Sequence, residues 1–401
     1  MDRIVVIGAG QAGASLVAKL RVLGFAGHIT LIGQEPFPPY QRPPLSKAYL
    51  LGQMERERLF LRPEEFYRDQ KIDLRLGARV TGIDTNTRAV TVDGETLAFD
   101  ALVLTTGATP NRLPAAIGGT LGGVHVVRGL ADIDQVAPEF SEGRRVLIVG
   151  GGYIGLEAAA VAAQKGLKVT LVEMGARILQ RVASPQTSDY FRELHRAHGV
   201  DIREGTGLKT LTGTGRVSGA ELTDGTRLEV DFVIAGIGVQ PASALAETAG
   251  LALDNGIRVD EMGRSSDPHI WAAGDCASFP WKGERIRLES VPNAIDQAEA
   301  VAANLLGANS PYIAKPWFWS DQFAVKLQMA GLNTGYDDVV ERPGAKQGAV
   351  SFWYFQNDIL LAVEAMNEPR AYMVGKRLIE SGKSPDKAAL ANPETDLKSL
   401  M

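Results

Sequence analysis

The sequence predicts an α/β protein made of two copies of a strand–turn–helix–strand unit followed by a small α+β region, and three observations predict it. An apolar, β-branched run, Ile4-Val5-Val6-Ile7, leads into Gly8-x-Gly10-x-x-Gly13, and the same arrangement returns as Val146-Leu147-Ile148-Val149 before Gly150-x-Gly152-x-x-Gly155. Each glycine turn opens an alanine-rich helical stretch, residues 13–24 and 154–166, and a further strand-like run follows each, residues 28–33 and 168–173. From Trp317 onward the pattern changes to alternating strand-like runs.

Between the two units, residues 97–106 read as a strand entering Thr105-Thr106-Gly107-Ala108-Thr109-Pro110, a glycine turn closed by proline that suits a crossover between domains. Residues 231–236 repeat the pattern and end in Gly236-Ile237-Gly238-Val239-Gln240-Pro241, so the second unit reads as inserted into the first. After Ile270-Trp271-Ala272-Ala273-Gly274-Asp275, a helix over residues 292–306 completes the first domain, and Gly307-Ala308-Asn309-Ser310-Pro311 is a linker. The C-terminal region then shows strands at 349–356 and 359–367 joined at Asn357-Asp358, and a helix over 371–381. The polar tail beyond Gly382 is expected to be loosely ordered or to pack late on the surface. The expected domains are 1–110 with 235–310, the inserted 111–234, and 311–401.

Bulk composition narrows the function. A chain of 401 residues exceeds what a single core supports. Its 45% hydrophobic and 22% charged content is that of a folded globular protein. A formal charge of −5 provides no general field for nucleic acid. The single cysteine, Cys276, has no partner for a disulfide or a CxxC redox pair, and no cysteine cluster is present to hold an iron–sulfur centre or another metal. No basic leader precedes the first strand, and the apolar runs fall far short of the ~20 residues that span a bilayer, so a cytoplasmic protein with no membrane or nucleic-acid partner is expected.

The glycine spacing carries chemistry. Gly8, Gly10 and Gly13, and again Gly150, Gly152 and Gly155, supply a tight turn, close backbone approach to a pyrophosphate, and close helix packing, with helix N–H groups facing the phosphates. Two such turns in full βαβ context imply two dinucleotide sites of Rossmann type. An acidic residue after the second strand accepts hydrogen bonds from ribose hydroxyls and repels a 2′-phosphate. Glu173 follows Val169-Thr170-Leu171-Val172, so the second site is expected to take NADH in preference to NADPH, with Arg177 read as a surface or phosphate-side cation. In the first unit the strand ends at Gly33-Gln34-Glu35, and Glu35 is the expected adenosine-ribose ligand, against the alternative of a solvated loop carboxylate. Gly238 is assigned to the NAD site.

Four further stretches point to one family: Pro39-Tyr40-Gln41-Arg42-Pro43-Pro44-Leu45-Ser46-Lys47, Gly274-Asp275, Glu289-Ser290-Val291-Pro292-Asn293-Ala294, and Trp317-Phe318-Trp319-Ser320-Asp321-Gln322. Together with the glycine turns they resemble the NADH-dependent, FAD-containing ferredoxin reductases of bacterial oxygenase systems, the putidaredoxin reductase and biphenyl dioxygenase reductase family. The resemblance runs from residue 1 to about residue 371.

The resemblance implies a glutathione-reductase-like layout with FAD in the first Rossmann domain and NADH in the second. It implies that Lys47 stands close to flavin N5 with Glu157 as its carboxylate partner near the nicotinamide. A fixed positive charge there would stabilise negative charge on the reduced ring. Alone, Lys47 reads equally as a phosphate-facing or solvent-facing lysine, and Glu157 as an ordinary helix carboxylate. Asp275 matches the residue that bonds the ribityl chain, or serves as an N-cap. Ala12, Val80, Arg128 and Val291 match FAD contacts, although some relatives place an acid where this chain has Gln34. Tyr153 either covers the flavin face where nicotinamide stacks or packs between helix and sheet. Trp319 matches an aromatic residue beside the flavin, with a core tryptophan as the alternative and Trp317 read as core.

The implied reaction is hydride transfer from NADH to FAD and single-electron delivery to a separate 2Fe–2S ferredoxin serving an oxygenase, preferably a cytochrome P-450 monooxygenase. Rubredoxin reduction and service to a Rieske dioxygenase are alternatives. An NADH-switched flavoprotein with a binding role is the alternative from another class. Lys282, Arg285 and Arg287 form one candidate cluster for an acidic ferredoxin, or a solvated loop. A monomer or weak dimer is expected.

Overall fold

Strand Arg3–Ile7 buries both its faces: Ile4 and Val6 point into one apolar core and Val5 and Ile7 into another. A strand covered on both sides reads as a continuous apolar run, and this one lies in the middle of a parallel sheet. The computed structural model describes residues 1–401, and the chain divides into two compact units.

The first unit comprises Met1–Gln41, Arg56–Thr109 and Val239–Pro316. Its five-stranded parallel sheet runs in the order Ile270–Ala272, Ala101–Leu104, Arg3–Ile7, His28–Ile32, Ile72–Arg75. Helices Gln11–Val22 and Val291–Leu305 contribute Leu16, Leu20, Ala298 and Val301 to the core on one face. The core on the other face takes Val90 and Val92 from the three-stranded antiparallel sheet Val80–Asp84, Ala89–Val92, Glu95–Ala98. The strand expected over 97–106 is broken. Asp100 sits at the break, and its carboxylate accepts the backbone N–H groups of Asp2 at 2.7 Å and Arg3 at 2.8 Å, so the side chain takes over bonds a continuous ladder would make.

The second unit comprises Arg42–Glu55, Pro110–Gly238 and Trp317–Met401. Its parallel sheet has the order Asp201–Glu204, Lys168–Glu173, Arg145–Val149, Phe232–Ala235, Val124–His125. A second, five-stranded antiparallel sheet orders Trp317–Gln322, Val325–Gly331, Ile359–Met366, Val350–Gln356, Asp338–Pro343. Asn357 and Asp358 join its two longest apolar strands with φ of 46° and 63°, the left-handed pair that a tight hairpin of matching twist requires. Helix Pro369–Ser381 covers one face, with Val374 and Leu378 packed in the same core as Trp353 and Val363, and ends at Gly382, φ 67°.

Two expectations need correction. The helices after the glycine turns begin at Gln11 and Tyr153, earlier than residues 13 and 154, because Gly10 and Gly152 adopt extended N-cap geometry and the helix starts inside the turn. The tail is not loose. It forms helix Lys387–Ala391 and a final turn, Leu397–Leu400, that bury Leu390 and Leu397. Buried Arg342 donates to the carbonyls of Leu390, Asn392, Pro393 and Thr395 at 2.7–3.0 Å, satisfying backbone that would otherwise need water.

Candidate functional site

The two glycine turns share a division of labour. A Cβ on Gly8 would lie 2.2 Å from the Thr105 carbonyl oxygen and one on Gly13 2.1 Å from that of Gly8; in the second turn, Gly150 and Gly155 would meet Gly236 and Gly150 oxygens at 2.3 and 2.0 Å. The protein's own packing thus demands the first and third glycines. Gly10 and Gly152 are different: a Cβ there meets nothing within 4 Å. Neither helix has a side-chain cap or an acidic residue in its first turn, so both N-termini present bare N–H groups beside an open surface. That arrangement fits a pyrophosphate at each turn.

Glu173 binds back onto the second turn. Its two oxygens accept the N–H groups of Gly151 and Gly175, each at 2.7 Å, which fixes the carboxylate beside the turn. Arg177 is half-buried and tied to the protein rather than solvated. Its guanidinium bonds the Ala183 carbonyl at 2.8 Å, the Ser184 carbonyl at 3.2 Å and the Ser188 hydroxyl at 2.5 Å, so it holds the loop that leads into helix Pro185–Ala197. In the first unit, Gln34 is exposed and Glu35 half-buried, with the Tyr40 hydroxyl donating to the Glu35 carboxylate.

Lys47 and Glu157 meet. The Lys47 ammonium lies 2.7 Å from Glu157 Oε2 and donates also to the Pro43 carbonyl at 3.2 Å, which leaves the third of its donors for another partner. The pair is 18% and 4% exposed at its side chains. Lys47 departs from helical geometry (φ −133°, ψ −109°) in the middle of the turn Leu45–Tyr49. Glu157, on helix Tyr153–Gln164, accepts the Ser46 hydroxyl at 3.0 Å on the same oxygen and the Ser320 hydroxyl at 2.7 Å on Oε1. Behind Ser320 stand Gln322, whose amide donates to it at 3.1 Å, and His195, bonded to the Gln322 amide oxygen at 2.8 Å. Sequence reading quoted Ser46, Ser320 and Gln322 within the family stretches but gave them no role, and it missed His195. Ser320 and Gln322 occupy alternate positions of strand Trp317–Gln322, a pattern that in sequence reads as a solvent face; their full burial, which calls for a partner, shows only in the fold.

Tyr153 packs its ring 5.0 Å from that of Phe318, with its hydroxyl 3.8 Å from Met329 Sδ, and desolvation holds the phenol well above its ordinary pKa. Trp319 stands half-buried beside Trp317, ring centres 5.6 Å apart. Gly238 adopts φ 88° next to Asn111, whose N–H donates to the Gly238 carbonyl at 3.0 Å. The Arg128 carbonyl accepts from the Arg42 guanidinium at 2.8 Å.

In the first unit Ala12, Gly274 and Asp275 are neighbours: a Cβ on Gly274 would lie 3.1 Å from that of Ala12 and 3.8 Å from that of Ala294. Val291 opens helix Val291–Leu305, capped by the Ser290 hydroxyl. Val80 joins the sheet edge at Val80–Asp84 and packs on the core there. Cys276 is fully buried, its thiol donating to the Leu104 and Ala273 carbonyls at 3.4 Å and pushed up in pKa by desolvation. In the cluster at 282–287, Lys282 is exposed with its ammonium 4.6 Å from the Trp281 ring centre, whereas the two arginines are tied down. Arg285 donates to the Val259 and Ser278 carbonyls, and Arg287 bonds the Asp275 carbonyl and pairs with Glu289 at 2.6 Å.

Residues 2–298 match the family described as pyridine nucleotide-disulphide oxidoreductase, and residues 317–401 match the reductase C-terminal family. The chain is 43% identical to rhodocoxin reductase of Rhodococcus erythropolis, over 98% of this chain and 93% of that protein. It is also 43% identical to a ferredoxin–NAD(P)(+) reductase of a Sphingomonas species, over 99% and 97%. Among solved structures it resembles the reductase of a covalent putidaredoxin reductase–putidaredoxin complex, with a TM-score of 0.96, 40% identity, and coverage of 100% of this chain and 98% of that one.

Proposed function

Because the chain belongs to the pyridine nucleotide-disulphide oxidoreductase family and ends in a reductase C-terminal module, we propose that it is an NADH-dependent, FAD-containing ferredoxin reductase delivering electrons to a separate 2Fe–2S ferredoxin. The observation that carries this reading is the shielded Lys47–Glu157 pair in a chain whose one cysteine is sealed in the core. Disulphide chemistry needs an accessible thiol, and Cys276 offers none.

Bound FAD supplies the ability to take two electrons as hydride and to release them singly. The chain's own residues hold and bias that chemistry. The Gly8, Gly10 and Gly13 turn with Ala12 binds the FAD pyrophosphate, Glu35 or Gln34 the adenosine ribose, and Asp275 the ribityl chain, with Val80, Arg128, Val291 and Trp319 as further FAD contacts. The turn of Gly150, Gly152 and Gly155 binds the NADH pyrophosphate. Glu173 takes the adenosine ribose and disfavours a 2′-phosphate, and Tyr153 and Gly238 border the nicotinamide end. Lys47 keeps a positive charge at the flavin, and Glu157 orients it. A low-dielectric setting strengthens that field.

The proposal includes the domain limits 1–110 with 235–310 for FAD, 111–234 for NAD and 311–401 at the C-terminal end. It extends to a cytoplasmic location, a monomer or weak dimer, and a cytochrome P-450 monooxygenase downstream. No helix of the structure is long and apolar enough to cross a membrane.

The test is anaerobic stopped-flow mixing of the yellow protein with NADH, then with 2Fe–2S ferredoxins and a rubredoxin. Flavin bleaching followed by one-electron cluster reduction is the expected result. Bleaching with transfer only to rubredoxin, to oxygen or to nothing overturns it.

A further inference from the structure

Ser320, Gln322 and His195 are each fully buried, and they line up behind Glu157 as an unbroken chain of hydrogen bonds. Three elements of one unit supply it: helix Tyr153–Gln164 carries Glu157, strand Trp317–Gln322 carries Ser320 and Gln322, and helix Pro185–Ala197 carries His195. The directions of the bonds are fixed by elementary valence. A carboxylate only accepts, so Ser320 must give its one O–H to Glu157 Oε1 and take the Gln322 amide hydrogen on its lone pair. Gln322, having used its NH2 toward Ser320, presents its oxygen to His195, whose Nε2 must then carry the proton. Every donor points toward Glu157.

The far end of the chain is sealed. His195 Nδ1 is buried without a hydrogen-bond partner, which agrees with its being the bare nitrogen of the neutral ring. Desolvation, with His198 close by, pushes the His195 pKa down to about 4, so the ring stays neutral at working pH. Its ring also packs edge-on against Phe323, with centroids 5.0 Å apart. The opposite arrangement, with the amide flipped and the proton on Nδ1, would turn the Ser320 hydroxyl toward Gln322 and set an oxygen lone pair against the carboxylate.

We propose that Gln322 and His195 are positioning residues that lock the Ser320 hydroxyl onto Glu157 and so hold Lys47 at the place where its charge acts. This rests on the roles of Lys47 and Glu157 proposed above. Small displacements of a group aimed at a reacting centre are costly in rate, while packing alone is indifferent to which way an amide points.

Four variants of the full chain, purified with their flavin, test this: Gln322→Met, His195→Leu, His195→Gln, and Lys47→Met as the reference. Each is mixed anaerobically with NADH to obtain the limiting rate of flavin bleaching and the apparent Kd of NADH, alongside the flavin midpoint potential and Tm. Gln322→Met and His195→Leu are expected to slow the limiting rate about tenfold with the NADH Kd changed by less than about twofold. His195→Gln keeps an N–H donor and is expected to restore most of the rate. If Lys47→Met slows bleaching while Gln322→Met and His195→Leu leave the limiting rate within about twofold of the unaltered protein, the positioning role is overturned and the site reading stands. Equal losses in His195→Gln and His195→Leu also overturn it, since shape alone would then be at stake. An unchanged rate in Lys47→Met overturns the site reading and the positioning role together.

Discussion

At the scale of single residues, the interior of the second unit holds more acid–base chemistry than its sequence announces. Glu364 is fully buried on strand Ile359–Met366, and one of its oxygens accepts the hydroxyls of Tyr354 and Thr187 while the other has no partner. Burial pushes its pKa up to about 7, so the folded protein holds this proton to higher pH than the unfolded chain does. Between the ordinary carboxyl value of 4.5 and about 7, folding therefore takes up a proton at Glu364, and this group's contribution to stability falls as pH rises through that window, while His195, whose pKa is pushed down from 6.5 to about 4, contributes in the opposite sense. Glu364→Gln is expected to remove the Glu364 contribution, so that its stability relative to the parent rises by up to about 3 kcal/mol between pH 4 and pH 8, as read by urea melts of both proteins across pH. A variant-minus-parent difference that stays flat or falls over that range would refute this. Nothing in the run Ile359-Leu360-Leu361-Ala362-Val363-Glu364 distinguished this carboxyl from a solvent-facing one, because its partner Thr187 comes from a distant stretch and Tyr354 lies across the hairpin, on strand Val350–Gln356. Lys47 and Glu157 were legible only through family likeness for the same reason: they lie far apart in the chain and meet only when folded.

At the scale of elements, the glycine turns were legible outright, since the spacing states a backbone requirement. The structure adds which glycine serves the fold and which leaves room. Gly10→Ala is expected to fold with little change in Tm yet to purify with a markedly smaller flavin content, because the new methyl meets no protein atom but stands beside the bare helix N-terminus. Gly13→Ala is expected to cost several kcal/mol or to prevent folding, given its 2.1 Å approach to the Gly8 oxygen. Comparable Tm losses in the two variants would contradict the division. The tail was misread because its polar, proline-bearing composition gives no sign of the anchor. Arg342 lies on another element, strand Asp338–Pro343, and each of its four bonds ends on a backbone carbonyl. Arg342→Ala is expected to destabilise by about 3 kcal/mol and to open residues 385–401 to limited proteolysis, with the parent tail resistant. A tail equally resistant in the variant would show the anchor to be dispensable.

At the scale of the whole molecule, the alternation of strands and helices was readable in the sequence. The strand Ile270–Ala272 at one edge of the first parallel sheet, and helix Val291–Leu305 on its face, come from residues after 238. A chain ended at residue 238 would therefore expose the Ala101–Leu104 edge and lose a third of the residues of the core around Val103. Such a truncation is expected to be recovered without flavin and to aggregate, measured by absorbance of the purified material and by light scattering. A soluble yellow fragment would show that the residues after 238 are dispensable for folding and for flavin binding. The assignment of Arg42–Glu55 to the second unit was beyond sequence reading, because that short segment carries no periodicity that says where it docks.

The sealed thiol of Cys276 has a practical consequence. Maleimides and nitroxide reagents attack an exposed thiolate, and this one is both buried and pushed away from ionisation. A cysteine introduced at any exposed position is then the one reactive handle on the native protein, with no need to remove a background residue first. Pairs of spin labels or fluorophores placed in this way report distances within either unit, with no background signal from Cys276.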